Sequence, residues 1–206
     1  MTVLKATKIN ILKAAQTVKQ GGIVAYPTET VYGLGCDPLN SEAVKRVLEI
    51  KGNRTKPFPV LAATLTDVDK IAFMSASGKK LASKFWPGPL TMVFQKKSAL
   101  SDVVTLGLGS VGLRIPNNNV ALSLIQLSGG LLIGSSANLS GENPPKSIQD
   151  MSEQLIAKVD MVLDGGVALE GTPSTVVDLT LGKPKILRAG PISLKQIFVT
   201  LALSDQ

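Results

Sequence analysis

The sequence predicts an α/β fold, and three observations carry that prediction. Of the 206 residues 44% are hydrophobic, while the charged 18% are interspersed rather than blocked, which is the composition of a packed core and not of a disordered chain. Segments with helical spacing of apolar residues alternate with short strand-like runs. Gly and Pro punctuate the boundaries between them. The length suits one sizeable core, so residues 1–206 are read as one domain.

The elements follow in chain order. Asn10 to Gln20 carries Ile11, Leu12, Ala14, Ala15 and Val18 at helical spacing and stops at Gly21-Gly22. Ile23 to Tyr26 is a short buried strand, ended by Pro27, which opens the loop PTETVYGLGCDP. Ser41 to Lys51 is the clearest helix: Val44, Val47, Leu48 and Ile50 share a face, Glu42 sits in the first turn, and Lys51 closes the last turn before Gly52. Val60 to Ala63 reads as a strand, followed by helical stretches at Val68 to Met74 and Lys79 to Phe85 and a turn at Trp86-Pro87-Gly88-Pro89. Strands are expected at Thr91 to Gln95, Ser110 to Ile115 and Leu131 to Gly134, with a helix at Val120 to Leu127. A helix at Ile148 to Ile156 precedes strands at Met161 to Leu163, Thr175 to Leu179 and Lys185 to Arg188, and Ser193 to Leu201 forms the last helix.

Two low counts exclude the most chemistry. The chain has no His, which removes the Ser-His-Asp and Cys-His hydrolases, the HExxH zinc peptidases and the kinase catalytic loop. Its one Cys, Cys36, can form neither an intramolecular disulfide nor a Cys-rich metal site, so no protein-held metal is expected. The lack of a disulfide framework fits a cytoplasmic protein. The N-terminus carries lysines at positions 5, 8, 13 and 19 and no apolar targeting segment. Ile115 to Gly141 is uncharged, yet Asn117, Asn118, Asn119 and Gly129-Gly130 interrupt it, so no membrane span is expected.

Common nucleotide motifs fail on context. Gly107-Leu108-Gly109-Ser110-Val111-Gly112 matches GxGxxG by letter but leads into an alternating strand instead of opening a helix, so it reads as a flexible loop. No phosphate-binding GxxxxGK[ST] loop occurs.

What remains is a pattern of cations and hydroxyls at strand ends. Arg stands at positions 46, 54, 114 and 188 only, against 18 Lys. Arg46 lies on a helix and reads as a solvated face, whereas the other three sit beside Gly or Pro in KGNRTKP, VGLRIP and LRAGP. Alternation puts Arg114 on the face opposite Val111, Leu113 and Ile115, where its rigid fork either pairs with an acid or holds an anion. Thr28 and Thr30 follow one strand, Ser135, Ser136 and Asn138 follow another, and Ser174 and Thr175 precede a third. Such residues are ordinary turn formers, but short hydroxyls and bare backbone N–H groups also suit the close approach of phosphate or carboxylate. Three such junctions with three strand-end Arg and Lys51, in a chain of net charge +7, imply an anion site, nucleotide first.

Seven ordered segments then resemble the YrdC/YwlC family: GGIVAYPTETVYGLGCDP, the basic run from Lys51 to Pro59, FWPGPLTMVF, VGLRIP, SSANLSG, PSTVVD and ILRAGPIS. The similarity extends from about Ile9 to Phe198. It implies a twisted, largely open mixed sheet with flanking helices and a concave basic groove. The implied activity is L-threonylcarbamoyladenylate synthesis, in which L-threonine, bicarbonate and ATP give threonylcarbamoyl-AMP and pyrophosphate. A tRNA-modifying threonylcarbamoyl transferase complex would then use the product on the adenosine beside the anticodon. By resemblance, Thr28, Arg114, Ser136 and Ser174 would hold threonine. Lys51, Arg54, Ser110, Asn138, Lys146 and Arg188 would hold the nucleotide, with Lys51 and Arg54 catalytic and Mg²⁺ entering with ATP.

Three departures accompany the resemblance. The family's Lys-x-Arg is here Lys51-Gly52-Asn53-Arg54, which displaces Arg54 by one residue. Leu61 stands roughly where many members carry His. The sequence leaves no room for the extra C-terminal domain of some members, so a single-domain form is expected. The basic balance keeps a tRNA- or double-stranded-RNA-binding module as an alternative, alongside a carbamoyl-transfer or YciO-like paralogue.

Overall fold

The computed structural model describes residues 2–52, 54–181 and 183–202. Asn53, which sets the unusual Lys51–Arg54 spacing, lies outside the described residues.

The first half of the chain alternates short strands with capped helices. Strand β1 (Thr2–Lys5) leads to helix α1 (Lys8–Lys19), whose N-terminus is capped by the Thr7 hydroxyl accepting from Asn10 N–H. Strands β2 (Val24–Tyr26) and β3 (Gly33–Gly35) precede α2 (Ser41–Lys51), which Asn40 caps and Gly52 ends at φ +67°. Next come β4 (Val60–Ala62), α3 (Leu65–Ile71), the two-residue β5 (Ala72–Phe73), α4 (Ala76–Phe85) and the long β6 (Leu90–Lys96).

The second half repeats the pattern around the functional junctions. A single turn, α5 (Asp102–Thr105), precedes β7 (Ser110–Arg114) and α6 (Asn119–Leu127), the latter capped by the Asn118 carboxamide accepting from two N–H groups. Strands β8 (Leu131–Ile133) and β9 (Ser135–Ser136) are separated by Gly134 alone. A 3-10 turn at Ile148–Asp150, α7 (Glu153–Lys158), β10 (Met161–Asp164), β11 (Thr175–Asp178), β12 (Lys185–Arg188) and α8 (Leu194–Ala202) complete the described chain.

The strands form two mixed sheets. One has the order β1-β10-β2-β3-β9, and the other runs β12-β11-β6-β7-β4-β8 with β5 added against β6. The chain passes between them at Gly134, where Ile133 N–H donates to Cys36 O at 2.9 Å and Gly134 N–H donates to Pro59 O at 2.8 Å. The larger core fills the space between the sheets and helices α2, α4 and α8, with Phe58, Phe94, Leu113 and Ile133 fully buried. A smaller core lies under α1 and α6, where Ala14 and Val18 meet Leu124 and Ile125.

Four sequence expectations change. The loop after Pro27 contains β3, because Gly33 and Gly35 pack directly on the Tyr26 ring; a Cβ at either position would come within 2.7–2.8 Å of it. The N-terminal lysine-rich segment begins with β1, an edge strand whose backbone pairing needs no apolar alternation. The helix expected to reach Met74 ends at Ile71, where extended Ala72 pairs with Lys96. The helix expected from Ile148 to Ile156 is split, because extended Met151 and the Ser152 cap start a new helix. The GxGxxG match runs from the turn after α5 into β7 and opens no helix. Cys36 is fully buried, and burial holds its thiol up at about 12, so it is an inert packed residue.

Candidate active site

Local backbone chemistry places the cleft at the junction of the two sheets. Tyr26, at the end of β2, donates its hydroxyl to Ile133 O at 2.9 Å and so ties the first sheet to the second. Burial raises the Tyr26 phenol, which keeps it a neutral donor. Beyond it the chain turns through Thr28, whose Oγ1 accepts from Thr30 N–H and Val31 N–H and donates to Val31 O. Across the cleft, β8 passes through Gly134 into Ser135 and Ser136. Gly134 abuts Leu61, and a Cβ there would sit 2.7 Å from Leu61 Cγ.

The resulting cleft has a volume of about 170 Å³. Thr28, Arg54, Arg114, Ser136, Ser174 and Arg188 line it, drawn from six separate stretches of sequence. Arg114 enters from the end of β7 and is almost fully buried. Its Nη1 donates to Glu29 Oε1 at 2.9 Å and to Thr30 Oγ1 at 3.2 Å. Ser174 shares a hydrogen bond with Thr91 Oγ1 at 2.8 Å. Arg188 donates through Nε to Ser174 O at 2.9 Å and through Nη2 to Ser174 Oγ at 3.1 Å. Arg54 stacks on the Phe58 ring with its guanidinium carbon 4.4 Å from the centroid, and donates to Pro57 O and, at 3.4 Å, to Ser135 Oγ.

The electrostatics of these cations are unequal. Among the described residues, Arg114 has an acid partner while Arg54 and Arg188 form no ion pair. Burial, and then the facing Arg188, lowers Arg54 to about 10; burial, and then Arg114, lowers Arg188. Arg54 and Arg188 remain cationic at neutral pH, so the cleft concentrates positive charge that no acid among the described residues pairs.

The other predicted site residues do not line the cleft. Lys51 is buried at the end of α2, where its ammonium donates to Ser136 O at 2.9 Å, Asn138 Oδ1 at 3.2 Å and Asn138 O. Those contacts occupy its three donors and staple the Ser136–Asn138 loop behind the cleft wall. Burial, followed by the nearby Arg54 charge, lowers Lys51 to about 8. Asn138 is buried with it and donates to Leu139 O and Glu142 O. Lys146 is exposed beside Gly171. Ser110 pairs with Gln95 at the opposite end of β7, about 13 Å along the strand from Arg114. Leu61 contributes an apolar patch of wall, buried to 1% exposure, where the resemblance would put His.

Sequence reasoning missed Glu29, Tyr32 and Lys56. Tyr32 and Lys56 line the cleft, and Glu29 lies directly behind Arg114. Thr30 and Ser135, noted at strand junctions but left out of the predicted binding set, line it too. The signal for Glu29 was its position inside PTET, three residues from a strand end, but nothing in the sequence shows that Arg114, 85 positions away in the chain, is 2.9 Å away in space.

An α/β scaffold that gathers guanidiniums and short hydroxyls at the ends of several strands defines a class of anion-binding α/β proteins. Within that class, the chain belongs to the Sua5/YciO/YrdC family, whose model, described as "Telomere recombination", matches residues 16–190. It is 40% identical to a threonylcarbamoyl-AMP synthase of Pyrococcus abyssi over 89% of this chain and 55% of that protein. It is 35% identical to a putative threonylcarbamoyl-AMP synthase of Mycobacterium tuberculosis over 94% of this chain and 89% of that one. The crystal structure of P. abyssi Sua5 complexed with L-threonine superimposes with a TM-score of 0.93 at 36% identity, covering 98% of this chain and 61% of that chain. The chain therefore spans little more than half the length of the P. abyssi relative. The expected fold, twisted mixed sheets with flanking helices, is the one these structures share.

Proposed function

We propose that this chain is an L-threonylcarbamoyladenylate synthase, a nucleotidyltransferase that joins L-threonine, bicarbonate and ATP. The observation that carries the reading is that Arg54 and Arg188, with no acid partner among the described residues, share one cleft with Arg114 and the hydroxyls of Ser135, Ser136 and Ser174. The relatives named as threonylcarbamoyl-AMP synthases and the threonine complex of P. abyssi Sua5 support the same assignment.

The chemistry suits a chain without His. The threonine amine adds to bicarbonate with loss of water, giving a carbamate. A carbamate oxygen then bonds to the α-phosphorus of ATP as the bond to the β-phosphate oxygen breaks, and pyrophosphate leaves. No covalent protein nucleophile is needed. The protein must hold two anions in line and neutralise charge on the leaving pyrophosphate, and orientation alone can supply roughly 7–11 kcal/mol of the barrier. In this reading Arg54 and Arg188 face the polyphosphate, Arg114 and Ser174 the amino acid, and Lys51 with Asn138 holds the Ser136 wall in place. In this reading Mg²⁺ enters with ATP, as part of the MgATP substrate.

The product would pass in the cytoplasm to a transferase complex acting on tRNA. No helix among the described residues is long and apolar enough to cross a membrane. The test is incubation with MgATP, bicarbonate and each amino acid in turn. Threonine-dependent formation of an acyl-adenylate and pyrophosphate is expected. Turnover with carbamoyl phosphate instead, or salt-dependent RNA binding without ATP turnover, would replace the assignment.

A further inference from the structure

Arg114 is held on one edge only. Its Nη1 is shared between Glu29 Oε1 at 2.9 Å and Thr30 Oγ1 at 3.2 Å, while Nη2 and Nε have no hydrogen-bond partner among the described residues and are not sealed from the cleft that Arg114 lines. The hydroxyls beside it form a directed relay. The Thr28 hydroxyl spends its single proton on Val31 O at 2.6 Å, so in its 2.9 Å contact with Thr30 it accepts and Thr30 donates. Thr30 Oγ1 is thereby left to accept from Arg114. Two backbone N–H groups also approach Thr28 Oγ1, at the longer distances of 3.2 and 3.3 Å.

Glu29 carries the second observation. Its side chain is 6% exposed and its Oε2 is buried without any hydrogen-bond partner among the described residues. A carboxylate oxygen left unsatisfied inside a protein is costly, and a pair kept only for stability would gain by gripping the guanidinium with both oxygens. The one-oxygen grip leaves the rest of the fork turned away from Glu29.

We infer that Glu29, together with the Thr28–Thr30 hydroxyl relay, is a positioning residue that fixes Arg114 so that its Nη2 and Nε edge receives the carboxylate of the amino-acid substrate. The substrate part rests on the synthase reading, whereas the positioning part stands on the geometry alone.

Two measurements separate these parts. With only four Arg in the chain, ¹⁵N-arginine NMR can follow the Arg114 guanidinium, assigned by its loss in Arg114→Lys. Slowed rotation of the Arg114 Nη groups is expected in the wild type and in Glu29→Gln, which keeps an oxygen acceptor, and is expected to vanish in Glu29→Ala. Steady-state kinetics should show the threonine KM rising tenfold or more in Glu29→Ala and severalfold in the isosteric Thr30→Val. The ATP KM and kcat should stay within threefold, and Glu29→Gln should recover most of the loss. Retained slow rotation in a folded Glu29→Ala overturns the positioning role, and Thr30→Val supplies the same test if Glu29→Ala fails to fold. A threonine KM unchanged while kcat or melting temperature alone falls overturns the substrate role. An NMR result as expected in a wild type that forms no threonine-dependent adenylate would sink the synthase reading and leave the positioning role standing.

Discussion

The cleft holds the same functional group in two opposite states. Arg114 is buried, paired with Glu29 and tied into a hydroxyl relay; Arg54 and Arg188 rest on an aromatic ring, carbonyls and Ser hydroxyls, with no carboxylate partner among the described residues. A paired guanidinium is a fixed part of the fold that presents a defined edge. Unpaired guanidiniums held by neutral groups keep their charge available for a ligand that brings its own negative charge. The cleft thus combines one guanidinium in a fixed orientation with two whose charge stays unneutralised.

This contrast can be broken by substitution. Arg114→Ala should be the most damaging to stability, by about 3–5 kcal/mol, because it strands the buried Glu29 carboxylate. Urea denaturation checks this, and a loss no greater than that of Arg54→Ala would erase the distinction between the two states. Arg54→Ala should leave the fold nearly intact yet slow acyl-adenylate formation by roughly 10²–10³, the scale for losing one stabiliser of developing charge. A near wild-type rate in a pyrophosphate-release assay would remove it from the site.

Lys51 offers a pH test of how the cleft wall is held. Its amine is lowered to about 8 by burial, from the ordinary lysine value of 10.5, so between those pH values the unfolded chain binds the proton that the folded chain has lost. The penalty of burying its charge is present in full below pH 8 and is relieved as pH rises toward 10.5. The stability difference between wild type and Lys51→Met should therefore move in favour of the wild type as pH is raised from 8 to 10, whichever is more stable at neutral pH. A difference flat with pH would mean that Lys51 titrates normally. The smallest effect belongs to Arg46, which pairs with Asp160 at 3.1 Å on the surface with both side chains more than a third exposed. Arg46→Ala should change stability by less than about 1 kcal/mol and turnover not at all; a large loss of turnover would extend the functional surface beyond the cleft.

How much was legible in sequence differs by residue. The helix Ser41–Lys51 was readable to the residue, because Glu42 in its first turn, its apolar stripe and the terminal Gly are all local signals. The strand Gly33–Gly35 was not, because its reason for existing is the Tyr26 ring beneath it. Arg114, Ser174 and Arg188 were found as strand-end polar groups, whereas Ser110 lies at the far end of its strand and Lys51 behind the wall, since strand position says nothing about which end faces a ligand.

By itself the sequence determined the α/β rhythm, the exclusion of imidazole chemistry and the short supply of Arg at strand ends, since composition and periodicity are properties of the chain alone. Only the tertiary structure decided which of those cations found an acid, because Glu29 and Arg114 meet through two sheets joined at Gly134, and that meeting depends on packing across a sequence separation of 85. Pairing is a question of distance in space, and it is pairing that separates a guanidinium held in one orientation from one whose charge stays unneutralised.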